Sequence, residues 1–134
     1  IEIRSDVNGG VGLVAVDPDR LQQIVANLLS NSIKFTPPGG AITIRLDRVD
    51  RSARLAVTDT GRGIPAEFLP RIFDRYQQAA GVRDSTQTGL GLGLAIVRHL
   101  VEMHGGSVSA SSPGDGLGST FEIKLPLIPT AHAH

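Results

Sequence analysis

Two alternating runs, Ala41-Ile42-Thr43-Ile44-Arg45-Leu46-Asp47-Arg48-Val49 and Ala53-Arg54-Leu55-Ala56-Val57-Thr58, stand either side of a short polar turn. Successive side chains on a strand point to opposite faces, so each run offers an apolar and a polar face, and together they predict an antiparallel hairpin. Helical patterns bracket this hairpin. Leu21, Ile24, Val25 and Leu28 recur at helical spacing behind Asp17-Pro18, an N-cap followed by proline in the first turn. That helix must stop before Thr36-Pro37-Pro38-Gly39-Gly40, which cannot continue it. A second helix is predicted from about Gly91 to His104, with Leu92, Ile96, Leu100 and Met103 on one face. Ser107 to Ser111 and Ser119 to Leu125 read as another strand pair around Pro113-Gly114-Asp115-Gly116. At the front, Ile1-Glu2-Ile3-Arg4 alternates, and Leu13-Val14-Ala15-Val16 is a further short strand candidate. The pattern weakens from Asp59 to Gly89, with short helical pieces around Glu67 to Phe73. Strands in pairs with helices between them favour an α/β fold of two layers, a sandwich with helices on one sheet face and solvent on the other.

At 134 residues, one hydrophobic core is expected, with a domain over residues 1–126 and an unstructured tail over 127–134. A hydrophobic fraction of 40% with 19% charged residues excludes a disordered chain. Thirteen basic residues balance thirteen acidic ones, so there is no electrostatic footprint for a nucleic-acid backbone. The lack of cysteine excludes disulfides, thiolate metal sites and cysteine nucleophiles, and fits a reducing cytoplasm. No apolar stretch approaches the ~20 residues that span a bilayer, so no membrane contact is expected. The chain opens on Ile1 in mid-pattern, as a piece of a longer protein would.

Three elements carry chemistry. Asn27, Asn31 and Lys34 lie four and three residues apart on one helix face, with Arg20 and Gln23 extending the stripe upstream. Asparagine is poor inside helices because its amide competes for backbone hydrogen bonds. The stripe is either a solvated polar face or a set of ligands for a phosphate-bound magnesium, which takes oxygen donors and keeps waters. Next, Asp59-Thr60-Gly61-Arg62-Gly63-Ile64 closes a strand. Its carboxylate can accept from an exocyclic amine, and its glycines allow close approach to a flat ring, although an Asp-Gly turn alone explains the same residues. Third, Gly89-Leu90-Gly91-Leu92-Gly93-Leu94 runs into the second helix, where backbone N–H groups ahead of a helix N-terminus would face an anion. It matches neither the dinucleotide fingerprint nor a P-loop, since 94 is Leu, 96 is Ile and neither lysine follows a glycine.

In order and spacing these elements resemble the catalytic and ATP-binding domain of sensor histidine kinases, within the superfamily that includes gyrase, heat-shock chaperones and mismatch-repair ATPases. The resemblance spans about Asp19 to Pro126. Asp19 to Thr36 is similar to the family's N box, Ile72-Phe73-Asp74-Arg75-Tyr76 to its F box, and Gly89 to Leu94 to its second glycine box. Leu94-Ala95-Ile96-Val97 and His104-Gly105-Gly106 are also typical of it. The resemblance implies the Bergerat fold, with a mixed, mostly antiparallel sheet and helices on one face. It further implies that Asn31 holds magnesium and that Asn27 and Lys34 hold phosphates. Phe35 would lie beside the base, and Asp59 would accept from the adenine amino group with support from Thr120. Gly61, Gly63 and Ile64 would line the pocket, and Gly89, Leu90, Gly91, Leu92 and Gly93 would bound the phosphates. Tyr76 and Thr88 would join the ATP-binding set, about Gln77 to Thr88 would form a mobile lid, and Arg75 would reach the γ-phosphate or the partner domain. With Asn27 and Lys34, Arg75 completes the implied catalytic residues. Leu90 departs from a usual small polar residue, and Gln77-Gln78 from a usual basic one.

His99, His104, His132 and His134 lie outside the family's acceptor context, so packing or solvent roles are expected of them. The resemblance therefore implies a phosphoryl donor. It would bind Mg-ATP and present the γ-phosphate to a histidine on a dimerisation domain of the same homodimeric parent, ahead of a response regulator receiver domain. The alternatives are an ATPase of the gyrase, chaperone or mismatch-repair type, a serine kinase that controls a sigma factor, or a degenerate nucleotide-sensing module. The enzyme alternatives generally place glutamate where this chain has Asn27, and an amide is a poor general base.

Overall fold

The computed structural model describes residues 2–7, 16–74, 85–114 and 116–128, with side chains left out at Val7 and over 85–92. The elements in chain order are β1 (Glu2–Val7), α1 (Pro18–Phe35), β2 (Ala41–Val49), β3 (Ser52–Asp59), a 3₁₀ turn (Leu69–Arg71), α2 (Ser85–Met103), β4 (Ser107–Ser111) and β5 (Ser119–Pro126). The strands form one sheet in the order β1-β2-β3-β5-β4, with β1 parallel to β2 and the other pairs antiparallel. Both helices pack on one face. The expected two-layer sandwich and mixed sheet are what the chain forms.

Local chemistry accounts for the ends of α1. The Asp17 side chain accepts from the Asp19 N–H at 2.9 Å, Pro18 occupies the first turn, and Thr36 ends the helix in an extended conformation. In the sheet, Ile42 and Ile44 stand opposite Asp59 and Val57, while β5 buries Ser119, Phe121, Ile123 and Leu125 in strict alternation. These residues meet Ile24 and Leu28 of α1 and Leu94, Val97, Leu100 and Val101 of α2 in a single core. Each fully buried aliphatic or aromatic side chain contributes about 1.5–3 kcal/mol. Phe73 packs edge-on against Phe121 with ring centroids 6.0 Å apart, and Arg98 of α2 donates to Asp74 at 3.1 Å. The chain leaving the 3₁₀ turn is thus clamped both to the core and to α2.

The other sheet face meets solvent. Arg54 donates two hydrogen bonds to Asp47, at 2.9 and 2.7 Å, and also lies 3.7 Å from Glu122. These contacts hold the Asp47 carboxyl below its ordinary range and raise the Arg54 guanidinium, the hydrogen bond outweighing the other causes in both.

Three boundaries differ from expectation. Strand β1 runs to Val7 because it gains a parallel partner, Glu2 to Val7 facing Ala41 to Leu46, which its own pattern does not announce. Helix α2 starts at Ser85, six residues before the expected Gly91. Ser85 to Thr88 hold no proline or glycine, so nothing in them stops the helix from propagating back past the glycines. Order also continues beyond residue 126, since the Leu127 N–H donates to the Arg51 carbonyl at 2.9 Å. The strand expected over residues 13–16 lies outside the described residues except for Val16, and the tail expected over 127–134 is described only to Ile128.

Candidate functional site

The buried polar side chains among the described residues are Asn31, Ser32, Thr36, Asp59 and Ser119. They are not scattered through the core. Asn31, Ser32 and Thr36 occupy the last turns of α1, Asp59 ends β3, and Ser119 begins β5 opposite Asp59. A core that confines its buried polar groups to one end of its sheet makes that end the candidate site.

Asp59 is 3% exposed and needs donors for its carboxylate. It accepts the Gly61 N–H on Oδ1 and the Ser119 hydroxyl on Oδ2, each at 2.9 Å. An ionised carboxylate offers about four lone-pair positions, so acceptor capacity remains for a ligand. The support expected from Thr120 comes from Ser119 instead. Neighbours on a strand face opposite ways: Thr120 lies on the solvent face, within hydrogen-bond distance of Thr58 at 3.1 Å. Counting back two residues from the apolar Phe121 would have found Ser119, which shares its face.

Asn31 is 1% exposed, and its Oδ1 has no hydrogen-bond partner among the described residues. At Asn31 the stripe is therefore not a solvated face. Asn27 is half-buried, while Arg20, Gln23 and Lys34 are exposed. The Asn27 amide donates to the Gly93 carbonyl at 3.4 Å, and a Cβ added at Gly93 would meet Asn27 Cγ at 3.9 Å. The stripe and the glycine segment are brought together there.

The room left by two site glycines is taken by the protein itself. A Cβ at Gly61 would collide with the Phe35 carbonyl, and one at Gly63, whose φ is +76°, with that of Gly114. These glycines let the end of β3 pass under α1 and against the loop before β5. Ile64 is buried, and its N–H donates to the Ser112 hydroxyl at 3.0 Å. Phe35 is half-buried, with the Arg62 guanidinium 4.4 Å from its ring centroid. Arg62, Ser112 and Ser119 were all missed in the sequence. Only Ser119 had a legible signal.

Arg75, Tyr76 and the lid residues to 84 lie outside the described residues, and Thr88, Gly89, Leu90, Gly91 and Leu92 are described by backbone alone. That backbone is helical, which corrects the expectation that the glycines precede the N-terminus of α2. Inside a helix their N–H groups are turned toward carbonyls four residues back. A cleft of about 390 Å³ opens beside Asp59 and Ser119, but Thr58, Ser111 and Thr120 place it over the solvent face, away from Asn31. His104 caps the far end of the helix layer: its Nδ1 lies 2.7 Å from the Leu100 carbonyl and its Nε2 accepts the Asp17 N–H at 3.4 Å.

Residues 16–129 match the family described as histidine kinase-, DNA gyrase B- and HSP90-like ATPase. This chain belongs to that ATPase family. It is 41% identical over 127 residues to the adaptive-response sensory kinase SasA of Synechococcus elongatus, covering 94% of this chain and 32% of that one. The mycobacterial sensor histidine kinase MprB superposes with a TM-score of 0.77 at 34% identity, over 95% of this chain and 85% of that structure. Full-length ShkA, solved in complex with AMPPNP, does so at 0.78 and 33%, over 93% and 25%. The chain thus spans about a third or less of the curated relatives it matches first. No helix of this ATPase domain, among the described residues, is long and apolar enough to cross a membrane.

Proposed function

We propose that this domain binds Mg-ATP and donates the γ-phosphoryl group to a histidine on a separate helical dimerisation domain of its parent. The observation that carries the proposal is the clustering of every buried polar side chain described at one end of the sheet, beside Asn27 and Gly93. Asp59 takes the adenine amino group with its remaining lone pairs. Gly61, Gly63 and Ile64 support that pocket, and Phe35 flanks it. Asn27, Lys34 and the segment from Thr88 to Gly93, Leu90 and Leu92 included, hold the phosphates, while Arg75 reaches the γ-phosphate or the partner domain and Tyr76 belongs to the ATP-binding set. The AMPPNP complex of ShkA supports a nucleotide at such a domain.

Asn31 fits magnesium, since an unpartnered buried amide oxygen is the hard donor that ion takes. When bound, magnesium neutralises charge on the phosphates. In the transfer, a lone pair on the acceptor imidazole forms a P–N bond as the bond from the γ-phosphorus to its bridging oxygen breaks. ADP leaves with that electron pair, and the imidazole N–H proton is released. Asn27 orients the phosphates but cannot take a proton from water, so bound ATP persists until a histidine arrives. The parent acts as a homodimer that presents this domain in the cytoplasm, and an aspartate on a response regulator receives the phosphoryl group afterwards.

The test mixes the domain with the separately produced phosphoacceptor domain and γ-labelled ATP. Acid-labile, base-stable label on the acceptor, with very slow hydrolysis by the domain alone, is the expected result. Brisk hydrolysis with no labelling would favour an ATPase and overturn the proposal.

A further inference from the structure

The two edges of the sheet are guarded differently. On β1, Glu2, Arg4 and Asp6 are all exposed and ion-paired, Arg4 with Glu2 at 2.8 Å and Asp6 with Arg45 of β2 at 3.7 Å. Charged side chains of this kind keep other strands off an edge. At the opposite edge β4 pairs with β5 alone among the described residues. Its five residues, Ser107-Val108-Ser109-Ala110-Ser111, include no charge and no proline.

The strand is also held in place at both ends. Before it, the Gly106 N–H donates to the Val101 carbonyl at 3.0 Å. After it, the Ser112 hydroxyl donates to the Gly118 carbonyl at 2.7 Å and accepts the Ile64 N–H at 3.0 Å. So fixed, β4 offers its outward N–H and C=O groups with little conformational freedom left to lose.

We infer that β4 is a self-pairing edge, which joins a second copy of this chain as an antiparallel strand about a two-fold axis through Ser109. From either end the strand reads serine, apolar, serine, apolar, serine. Under that axis Ser109 faces Ser109 of the second copy, Ser107 faces Ser111, and Val108 faces Ala110. A two-fold contact needs a surface complementary to itself, and this register sets neither like charges nor bulky side chains opposite one another. It also respects the faces of the sheet. The exposed serines stay on the solvent side, while half-buried Val108 and Ala110 extend the apolar layer beneath the helices. The two sheets then join into one whose outer edges are both the charged β1, so pairing closes at two copies. A five-residue ladder falls well short of the ~1,200 Å² of a stable interface, so the free domain pairs weakly. Two copies tethered in one parent meet at a local concentration of about 1 mM, where such pairing is populated. That consequence alone rests on the function proposed above.

The test is sedimentation equilibrium on this chain up to about 1 mM, with charge variants placed on the axis. The wild type should associate reversibly to a dimer and no further. Ser109→Lys and Ser109→Glu each set like charges opposite one another and should lower the association constant by up to roughly fivefold, whereas their equimolar mixture should match or exceed the wild type. Both should melt with the wild type, because Ser109 is exposed. The chain has no cysteine, so single thiols report the register. Ser109→Cys should oxidise to a linked dimer faster than Ser107→Cys or Ser111→Cys alone, and mixing the last two should speed the linking. A strict monomer at about 1 mM overturns the proposal and leaves the edge to a foreign strand or to solvent. Charge variants that associate no better mixed than apart, or equal oxidation at all three positions, overturn the register and the proposal with it. ATP binding is read separately and does not depend on any of these outcomes.

Discussion

Replacing Gly93 by alanine separates the helical state of the glycine segment from the state that would hold phosphates. Gly93 lies within α2 where it crosses α1, and its carbonyl accepts from the Asn27 amide at 3.4 Å. An added Cβ would meet Asn27 Cγ at 3.9 Å, an ordinary van der Waals contact, so the substitution fits. Glycine inside a helix costs about 0.5–1 kcal/mol relative to alanine, partly through the entropy of the unfolded chain. Gly93→Ala should therefore raise the nucleotide-free melting midpoint by roughly 2–5 °C for a domain of this size. Backbone N–H groups in the helix are directed at carbonyls and not at an anion. If Gly89, Gly91 and Gly93 bound the phosphates, these turns must loosen on binding, and whatever stabilises the helix opposes the ligand by the same free energy. ATP affinity should then fall by roughly two- to fivefold, read by calorimetry with magnesium present. A lowered midpoint would refute the packing at the helix crossing. A raised midpoint with unchanged affinity would refute the coupling between helix and phosphate binding.

Asp59→Asn should weaken ATP binding by about 1.5–3 kcal/mol, the scale of a charge-assisted hydrogen bond, with the fold retained because the Ser119 hydroxyl can rotate to suit an amide. Unchanged affinity by calorimetry would remove Asp59 from the base pocket. Asn31→Ala should abolish most of the magnesium-dependent gain in ATP affinity and leave the ligand-free midpoint nearly unchanged, since the lost oxygen is unpartnered in the described structure. Unfolding of the ligand-free variant would instead mark Asn31 as structural. On the solvent face, the hydrogen bond from Arg54 lowers the Asp47 pKa, so the pair stabilises the fold above the ordinary carboxylate value and loses that effect as pH falls through the depressed one. Asp47→Asn should therefore melt slightly below wild type at pH 7 and converge with it well below pH ~4; parallel curves down to strong acid would discount the pair.

Helix α1, the β2–β3 hairpin and the β4–β5 pair were legible because each carries its own period, cap or turn within a few residues. The sheet order was not. The parallel seat of β1 beside β2 and the insertion of β5 between β3 and β4 depend on contacts far apart in sequence, where no local signal operates. The glycine segment misled for a related reason: glycine permits several conformations and specifies none, so the helix boundary was set by Ser85 to Thr88 upstream of it. In the candidate site, residue type and spacing brought out Asn27, Asn31 and Asp59 but not their depth. Asn31 and Lys34 sit one turn apart on the same flank, yet one is buried and the other exposed. Helical spacing fixes an angle around the axis, whereas burial depends on what lies beyond that angle. For the later residue this is solvent, and for the earlier one the end of the sheet. Ser32 escaped notice because a serine has no fixed preference for the inside, whereas Ser119 was marked by its place two residues before Phe121 on one strand face. That both join Asn31 and Asp59 at one end becomes visible only when α1, β3 and β5 meet. Polar groups that break the hydrophobic pattern are costly wherever they are buried. Their confinement to one end of this sheet, beside Asn27 and Gly93, argues for a site at that end more strongly than any one motif does.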